Sequence, residues 1–146
     1  MAQDIGGVGS KVSIIAVPTF PQGFTITEFA SDADPVVIED IEVANTELGV
    51  NGDMVSWHRA VVIPVELNVT PNSEADKNLQ ILVATNRVAK NKVAISDDIT
   101  MVITYADGSI KTLTGGVIVA GNVASSITTE GKIRTKTYRF QFANVI

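Results

Sequence analysis

The sequence predicts a mainly β (α+β) domain with one flanking α-helix. Three observations favour this fold class. Short β-branched segments alternate apolar and polar residues, Gly and Pro residues separate these segments, and one stretch has the three- and four-residue spacing of an amphipathic helix. The length of 146 residues suits a single domain. Within residues 1–146 we distinguish an N-terminal arm, residues 1–10, and an acidic arm, residues 31–58.

Strand-like segments account for most of the chain. They are residues 11–17, 23–30, 35–43, 60–70, 99–105, 110–120 and 132–143. Segment 60–70 alternates most regularly, although Pro64 cannot donate to a ladder and therefore predicts an edge or a bulge. Because segment 35–43 is weak, we expect most of residues 31–53 to form a long loop or a binding arm.

One helix is predicted, over about residues 73–89. Ser73 is the expected N-cap, and Asp76 stands three residues later, close to the capping-box pattern. Lys90 and Lys92 lie where cations favour the C-terminal end of a helix.

A hairpin is predicted after the helix. The dipeptide Asp107-Gly108 favours a two-residue type I′ turn, which would place Tyr105 opposite Ile110. In this register Leu113 lies on the reverse face of the hairpin, away from the apolar face.

The last predicted strand has one face that changes character along its length. That face carries Lys132, Arg134, Lys136, Tyr138, Phe140 and Phe142. The aromatic half suits a core. The basic half either projects past the sheet into solvent or docks on the acidic arm of a neighbouring copy.

Charge is distributed unevenly along the chain, whose net charge is −5. Residues 1–58 contain nine acids and one base, which gives −8, whereas residues 59–146 contain seven acids and ten bases, which gives +3. This polarity suits head-to-tail association of copies, although an acidic solvated loop would also explain it. The acidic balance argues against sequence-specific binding of nucleic acid. Hydrophobic residues are 45% and the mean hydropathy is +0.25, which indicates surface that a partner covers.

Residues suited to chemistry are few, so we expect no enzyme, no cofactor and no metal. The chain has no Cys and one His, His58, which excludes thiolate sites and multi-His metal sites within one chain. The acids near Asp34 lack the ligand order of an EF-hand. No nucleophile motif accompanies His58. The sequence also shows neither a membrane-spanning segment nor a signal peptide, and we expect synthesis in the cytoplasm.

Several segments together resemble the tail tube proteins of long, contractile-tailed bacteriophages. They are Asp34-Pro-Val-Val-Ile-Glu-Asp-Ile-Glu-Val-Ala-Asn, Leu48-Gly-Val-Asn-Gly-Asp-Met-Val-Ser-Trp, the Asn68-Val-Thr-Pro stretch that opens the helix, Tyr105-x-Asp-Gly, and Gly131-Lys-x-x-x-Lys-x-Tyr-x-Phe-x-Phe. The similarity runs over about residues 11–145. Baseplate and tail-completion proteins share this fold, and so do bacterial contractile injection particles.

The resemblance implies a tail-tube-like fold, a β-sandwich or half-barrel flanked by one α-helix. It also implies a structural virion protein of the tail, made in the host bacterial cytoplasm. Hexameric rings of this family stack into a hollow tube through which DNA passes without specific binding. The implied partners are copies of the chain itself, with sheath and baseplate proteins around them.

We expect acidic residues of one copy to contact basic residues of its neighbour at the subunit interface. The acidic side is Asp32, Asp34, Glu39, Asp40, Glu42 and Glu47, and the basic side of a neighbour is Lys132, Arg134 and Lys136. Trp57 and His58 are expected at or near the subunit boundary. Either the pair Thr25 and Thr27 or the pair Thr100 and Thr104 is expected to line the lumen.

A monomeric β-sandwich that binds carbohydrate is the alternative function. Such a module needs an exposed aromatic platform, for which Trp57, Tyr105 and Tyr138 are the available residues.

Overall fold

One antiparallel sheet forms the frame of the structure. The computed structural model describes residues 9–30, 34–93, 96–124, 126–127, 129, 131 and 133–146. The strands are β1 (Lys11–Val17), β2 (Phe20–Ile26), β3 (Val36–Ile38), β4 (Ala44–Leu48), β5 (Met54–His58), β6 (Ile63–Val69), β7 (Asp98–Thr104), β8 (Ile110–Gly121), β9 (Lys136–Phe142) and β10 (Asn144–Val145), and the helix is α1 (Glu74–Asn86). The predicted mainly β fold with one helix is confirmed.

The strand order of the sheet is β2-β1-β7-β8-β9-β6-β3, with β10 added beside β8. All the strand pairs are antiparallel. Register shifts interrupt the pairing within β1, β7 and β8, and such bulges bend a sheet and increase its twist. Strand β8 is the longest and pairs with β7 in its first half and with β9 in its second half.

The core lies between one face of this sheet and helix α1. Alternate residues of each central strand supply it, as the period of two requires. Its buried members are Val12, Ile14, Ala16, Ile26, Val65, Leu67, Val69, Ala75, Leu79, Leu82, Ile99, Met101, Ile103, Leu113, Tyr138, Phe140 and Phe142. The helix contributes the stripe Ala75, Leu79 and Leu82, whose spacing of four and three residues places them on one side.

The start of the helix is confirmed, but its end is not. Ser73 is the N-cap, and its Oγ accepts from the backbone N–H of Asp76. The helix ends at Asn86, three residues before the predicted end, because Arg87 takes an extended backbone conformation. The ammonium of Lys92 donates to the carbonyls of Ala84 and Arg87, which satisfies orphan acceptors at this end.

The hairpin β7–β8 differs from its predicted register by one residue. Thr104 pairs with Ile110, and Tyr105 pairs through its N–H with the carbonyl of Ser109. Gly108, at φ 91°, follows a tight turn as the third loop residue, so the loop is the three-residue type with a bulge and not the two-residue type I′ turn.

A one-residue slip exchanges the two faces of the second strand. Leu113 is therefore buried in the core opposite Met101, so its predicted place on the reverse face is wrong. In the turn itself, the hydroxyl and the backbone N–H of Ser109 donate to Asp107, and these hydrogen bonds lower the pKa of Asp107.

The acidic arm contains a hairpin in a region where the sequence predicted a long loop. Of the predicted strand 35–43, only Val36–Ile38 forms a strand, which pairs with β6, and the Pro35 carbonyl accepts from the N–H of Asn68. Strands β4 and β5 pair with each other as a separate two-stranded sheet, which we name the arm hairpin. Its loop repeats the geometry of the loop in β7–β8: Gly49 N–H donates to Asp53 O, and Gly52 has φ 87°.

Gly116 marks the closest approach within the core. A Cβ at this position would overlap the ring of Phe142 and lie 3.0 Å from the carbonyl oxygen of Ile99. We expect Gly116→Ala to lower the free energy of unfolding by about 1–3 kcal/mol, as overpacking does, in urea denaturation. Gly49→Ala is the matched control, since its Cβ would make an ordinary 3.4 Å contact. Equal midpoints for the two variants would contradict this assignment.

Candidate functional site

The arm hairpin is the most exposed apolar element of the described chain. Apart from Ala44 and Asn45, which are half-buried, all its strand residues are exposed. Leu48 and Met54 pair on one face and are 70% and 69% exposed, and Val50 in the loop is 105% exposed. A lone two-stranded hairpin is marginally stable in water, and exposed apolar surface of this kind usually marks an interaction site.

Trp57 and His58 both lie on β5 of this hairpin. Trp57 is 45% exposed and pairs across the hairpin with Asn45, whereas His58 pairs with Ala44 on the opposite face. Both side chains are therefore available to a neighbouring molecule. Their predicted place at a subunit boundary stays a prediction.

Of the predicted acidic residues, Glu47 lies on β4 and Glu42 at the base of the arm hairpin, whereas Asp34, Glu39 and Asp40 precede the hairpin in the chain. Asp34, Glu39, Asp40, Glu42 and Glu47 are exposed, whereas Asp32 lies outside the described residues. Glu42 forms an ion pair of 3.1 Å with Arg59 at the base of the hairpin. Exposed pairs of this kind contribute little to stability, so the charges remain available for steering an association.

The structure contradicts the predicted interface role of Lys136, the first residue of β9. Lys136 does not project into solvent: it is 0% exposed, and its ammonium lies 3.3 Å from Asp76 Oδ2. The prediction for Lys136 is wrong because the N-terminal turn of α1 covers this part of the strand and supplies the opposite charge. Arg134 is exposed, and Lys132 lies outside the described residues.

Asp76 is the centre of a buried polar cluster. Its Oδ1 accepts from the hydroxyl of Tyr138 at 2.8 Å, and its Oδ2 accepts from the N–H of Asn72 at 3.0 Å. Asp76 is 1% exposed, and Tyr138 and Lys136 are 0% exposed. The Lys136 ammonium makes the ion pair without a hydrogen bond of good geometry. This cluster fixes the first turn of α1 to strand β9.

The buried cluster has a signal in the sequence that the overall charge pattern does not bring out. Asp76 precedes Leu79 by three residues, which places it on the buried stripe of α1, and Lys136 shares the face of Phe140 and Tyr138. Two opposite charges at interior positions predict a buried pair, because an isolated buried charge is too costly.

Another buried carboxylate, that of Asp97, holds the C-terminal end of α1; Asp97 is 1% exposed. Its oxygens accept from the backbone N–H of Thr19 at 3.0 Å, from the Thr19 hydroxyl at 2.7 Å, and from Asn86 Nδ2 at 2.7 Å. Asn86 Oδ1 accepts in turn from the N–H of Asp97 at 3.0 Å. Helix α1 is therefore tied to the sheet at both ends, and the surface around it is rigidly placed.

Tyr138 makes the buried cluster sensitive to alkaline pH. Burial and the hydrogen bond to Asp76 raise the pKa of Tyr138 above its ordinary value of 10.0. Stability from the neutral phenol is therefore complete below that value and is lost as the pH rises above it. In this range only the unfolded chain ionises Tyr138, so the free energy of unfolding should fall by about 1.4 kcal/mol per pH unit from this group.

Urea denaturation at several alkaline pH values measures this effect. Tyr138→Phe should have a shallower fall of stability with pH than the wild type. Tyr105→Phe is the control, because Tyr105 is 37% exposed, and it should keep the wild-type slope. Identical slopes for all three proteins would contradict the role of Tyr138.

Three of the four predicted lumen residues share one face of the sheet. Ser13 pairs with Thr25 on one side and with Val102 on the other, and the next residues on that face of β7 are Thr100 and Thr104. The hydroxyls of Ser13 and Thr25 are 3.3 Å apart. We name this surface the hydroxyl face. Thr25 from one alternative pair and both Thr100 and Thr104 of the other thus belong to one surface, and Thr27 is exposed just beyond the end of β2.

The residues required for the alternative function do not form a platform. Tyr138 is buried in the core, so the predicted trio loses one member, while Trp57 and Tyr105 are partly exposed. Among the described residues no group of three His, Asp or Glu side chains is placed to hold a metal ion. The described part of the chain also has no helix of the length and apolarity that crossing a bilayer requires.

Three solved structures have the same fold. A chain of the sheath/tube terminator of an extracellular contractile injection system, PVC, in its extended state has a TM-score of 0.60 at 15% identity, over 100% of this chain and 97% of that one. A chain of the PVC sheath-tube complex in its extended state has a TM-score of 0.54 at 14% identity, over 92% and 86%. A chain of the six-fold symmetrised baseplate of the anti-feeding prophage has a TM-score of 0.58 at 11% identity, over 100% and 96%.

The family comparison agrees with these structures. No curated protein matches the chain. The family described as tail fiber protein gp32 (E217_Gp32) matches residues 3–146, nearly the whole sequence. The resemblance drawn from the sequence is thereby confirmed at the level of tail and baseplate proteins of contractile systems. The chain belongs to the family of tail fiber protein gp32.

Proposed function

We propose that the protein is a ring-forming subunit of a contractile tail, whose copies, six to a ring, stack into a hollow inner tube that conducts DNA. One observation carries this proposal: the arm hairpin exposes Leu48, Val50 and Met54 to water with no partner strand beyond its own pair in the described chain. Covering this hairpin by other copies removes apolar surface from water, which is the dominant favourable term in association.

The particles to which the similar structures belong support a place inside a contractile tail. Those structures are a sheath/tube terminator, a sheath-tube complex and a six-fold symmetrised baseplate. The chain would accordingly have sheath and baseplate proteins as partners and would be located in the tail of a virion, after synthesis in the bacterial host's cytoplasm.

The hydroxyl face is the surface best suited to line the channel. Its residues on β1, β2 and β7 are hydroxyl-bearing or apolar, apart from Lys11 and Asp98 near strand ends. A channel wall must let a polyanion slide without adhering, and a wall with few cations does so because phosphate binding depends on Lys and Arg. We therefore assign Thr25, Thr27, Thr100 and Thr104 to the lumen side.

The acidic arm would steer the contact between copies. Its exposed acids face a molecule whose residues 59–146 carry a net charge of +3. Arg134 and Lys132, which precede β9 in the sequence, remain the proposed partners, whereas Lys136 is excluded by its burial. Trp57 and His58 would lie at the boundary that the hairpin creates.

A ring at one end of the tube is the second candidate function. The terminator and baseplate chains are matched over 97% and 96% of their lengths, whereas the sheath-tube chain is matched over 86%. The larger matched share favours a terminator or baseplate ring over a repeating tube ring. In either case one ring would consist of six copies of this chain.

Electron microscopy of the purified protein, with sedimentation velocity over a concentration range, tests both candidates. Six-fold rings that stack into tubes are the expected result, and single six-fold rings that do not stack would favour the second candidate. A protein that stays monomeric at every concentration would overturn the proposal.

A further inference from the structure

A groove lies between the end of α1 and the end of β8. Its lining includes Val83, Arg87, Ile118, Val119, Gly121 and Val123, and its volume is about 220 Å³. Val119 and Val123 are 49% and 69% exposed. A Cβ at Gly121 would collide with Val83 and Tyr138, so the glycine lets the helix approach β8. We name this feature the helix-end groove.

The exposed charge in the lining of the helix-end groove is positive. Arg87 lies in the groove lining, and Lys90 is exposed nearby in the chain. The two stretches that line the groove, residues 83–87 and 118–123, contain no Asp or Glu, and Asp97, which contacts the lining residue Asn86, is buried. An occupant that suits this groove is therefore apolar at its centre and acidic at its edges.

The loop of the arm hairpin has this chemistry. Val50 is at its apex and fully exposed, and Glu47 and Asp53 flank it. Residues 34–58 contain no Lys or Arg, so the hairpin carries no charge that the groove would repel. Leu48 and Met54 extend the apolar surface behind the apex.

We propose that the tip of the arm hairpin of one copy docks in the helix-end groove of a second copy, with Val50 against Val119 and Val123 and the flanking acids toward Arg87. The occupant must be another copy, because within one chain the tip is exposed and lies outside the groove. This inference rests on the proposed self-assembly and adds the place where the hairpin binds. The two carboxylate clusters that tie α1 to the sheet give the groove a fixed shape, which lowers the cost of binding.

Cysteine cross-linking tests this contact directly, because the wild-type chain has no Cys. Val50→Cys protein is mixed with Val123→Cys protein under mild oxidation, so that a mixed disulfide can form only between copies. The control mixture contains Val50→Cys and Ile110→Cys, since Ile110 is 58% exposed at the opposite end of β8. Mass spectrometry of non-reduced products identifies the pairs, because a disulfide requires Cβ atoms within about 4.5 Å.

The expected result is a mixed disulfide between positions 50 and 123, with none between positions 50 and 110. Tubes that form without the 50–123 disulfide would overturn this inference and leave the proposed function intact. A wild-type protein that stays monomeric in sedimentation would overturn both.

Exchanging the charges between the groove and the hairpin tip tests the same contact without cysteine variants. Arg87→Glu should weaken assembly, and combining it with Glu47→Lys and Asp53→Lys should restore it. Lys111→Glu is the matched control, since Lys111 is exposed away from the groove, and should assemble as the wild type does. Failure of the exchange to restore assembly would count against the contact.

Discussion

Replacing Asp76 with asparagine is expected to lower the free energy of unfolding by about 3–5 kcal/mol, the largest loss we expect from a single substitution in this chain. The substitution keeps the size of the side chain and removes its charge. Lys136, which is 0% exposed, then retains a buried positive charge with no opposite charge beside it. Tyr138 and Asn72 donate to different oxygens of Asp76, and the amide nitrogen that replaces one oxygen in asparagine cannot accept, so one of these two hydrogen bonds is also lost.

The double variant Asp76→Asn/Lys136→Met separates lost charge pairing from lost packing. Methionine fills much of the lysine volume without a charge, so the double variant should recover a large part of the stability that Asp76→Asn loses. Urea denaturation followed by circular dichroism measures all three proteins. Additive losses, with the double variant less stable than Asp76→Asn, would show that the ion pair is not the reason for the loss.

Sequence patterns predicted the elements that bury one face. Alternation predicted the positions of strands β1, β6 and β7, and Ser73 predicted the N-cap of α1. A strand that buries one side alternates apolar and polar residues, which makes it visible in the sequence. The arm hairpin shows no such alternation. Both of its faces are exposed in a single copy, so Leu48 and Met54 on one face and Val55 on the other obscure the alternation.

Two errors arose from local rules that the surroundings overrode. The dipeptide Asp107-Gly108 was compatible with two loop lengths, and the three-residue loop moved Leu113 into the core. Lys136 was on the predicted face of β9, but only the position of α1 decides whether that face is open at this point. Both outcomes depend on contacts between distant segments, which no local pattern specifies.

The exposed arm hairpin, which we propose to mediate assembly, is structurally separate from the part of the chain that holds the core and the buried clusters at the two ends of α1. None of the core residues lies between β3 and β6, and the hairpin begins and ends close together, since Arg59 N–H donates to Val43 O at 3.3 Å. The part that holds the core can therefore fold without the hairpin. This separation allows assembly to be removed without unfolding the subunit.

Replacing residues 44–58 with Asn-Gly is expected to abolish self-assembly and to change the free energy of unfolding by less than about 1 kcal/mol, because a shorter loop alters closure entropy only slightly. Val43 and Arg59 are already paired, so a two-residue turn can join them. Sedimentation velocity and electron microscopy measure assembly, and urea denaturation measures stability.

A milder variant, Leu48→Ser/Val50→Ser/Met54→Ser, keeps the length and the turn of the hairpin. Burying each of these apolar side chains in an interface would contribute about 1.5–3 kcal/mol, and about 1.4 kcal/mol is a tenfold change in affinity, so losing all three should also prevent assembly. Ile110→Ser/Val117→Ser is the control, because these residues of β8 are 58% and 44% exposed but lie outside the arm hairpin. This control variant should assemble as the wild type does. If the hairpin deletion forms tubes at the same concentration as the wild type, copies associate through another surface.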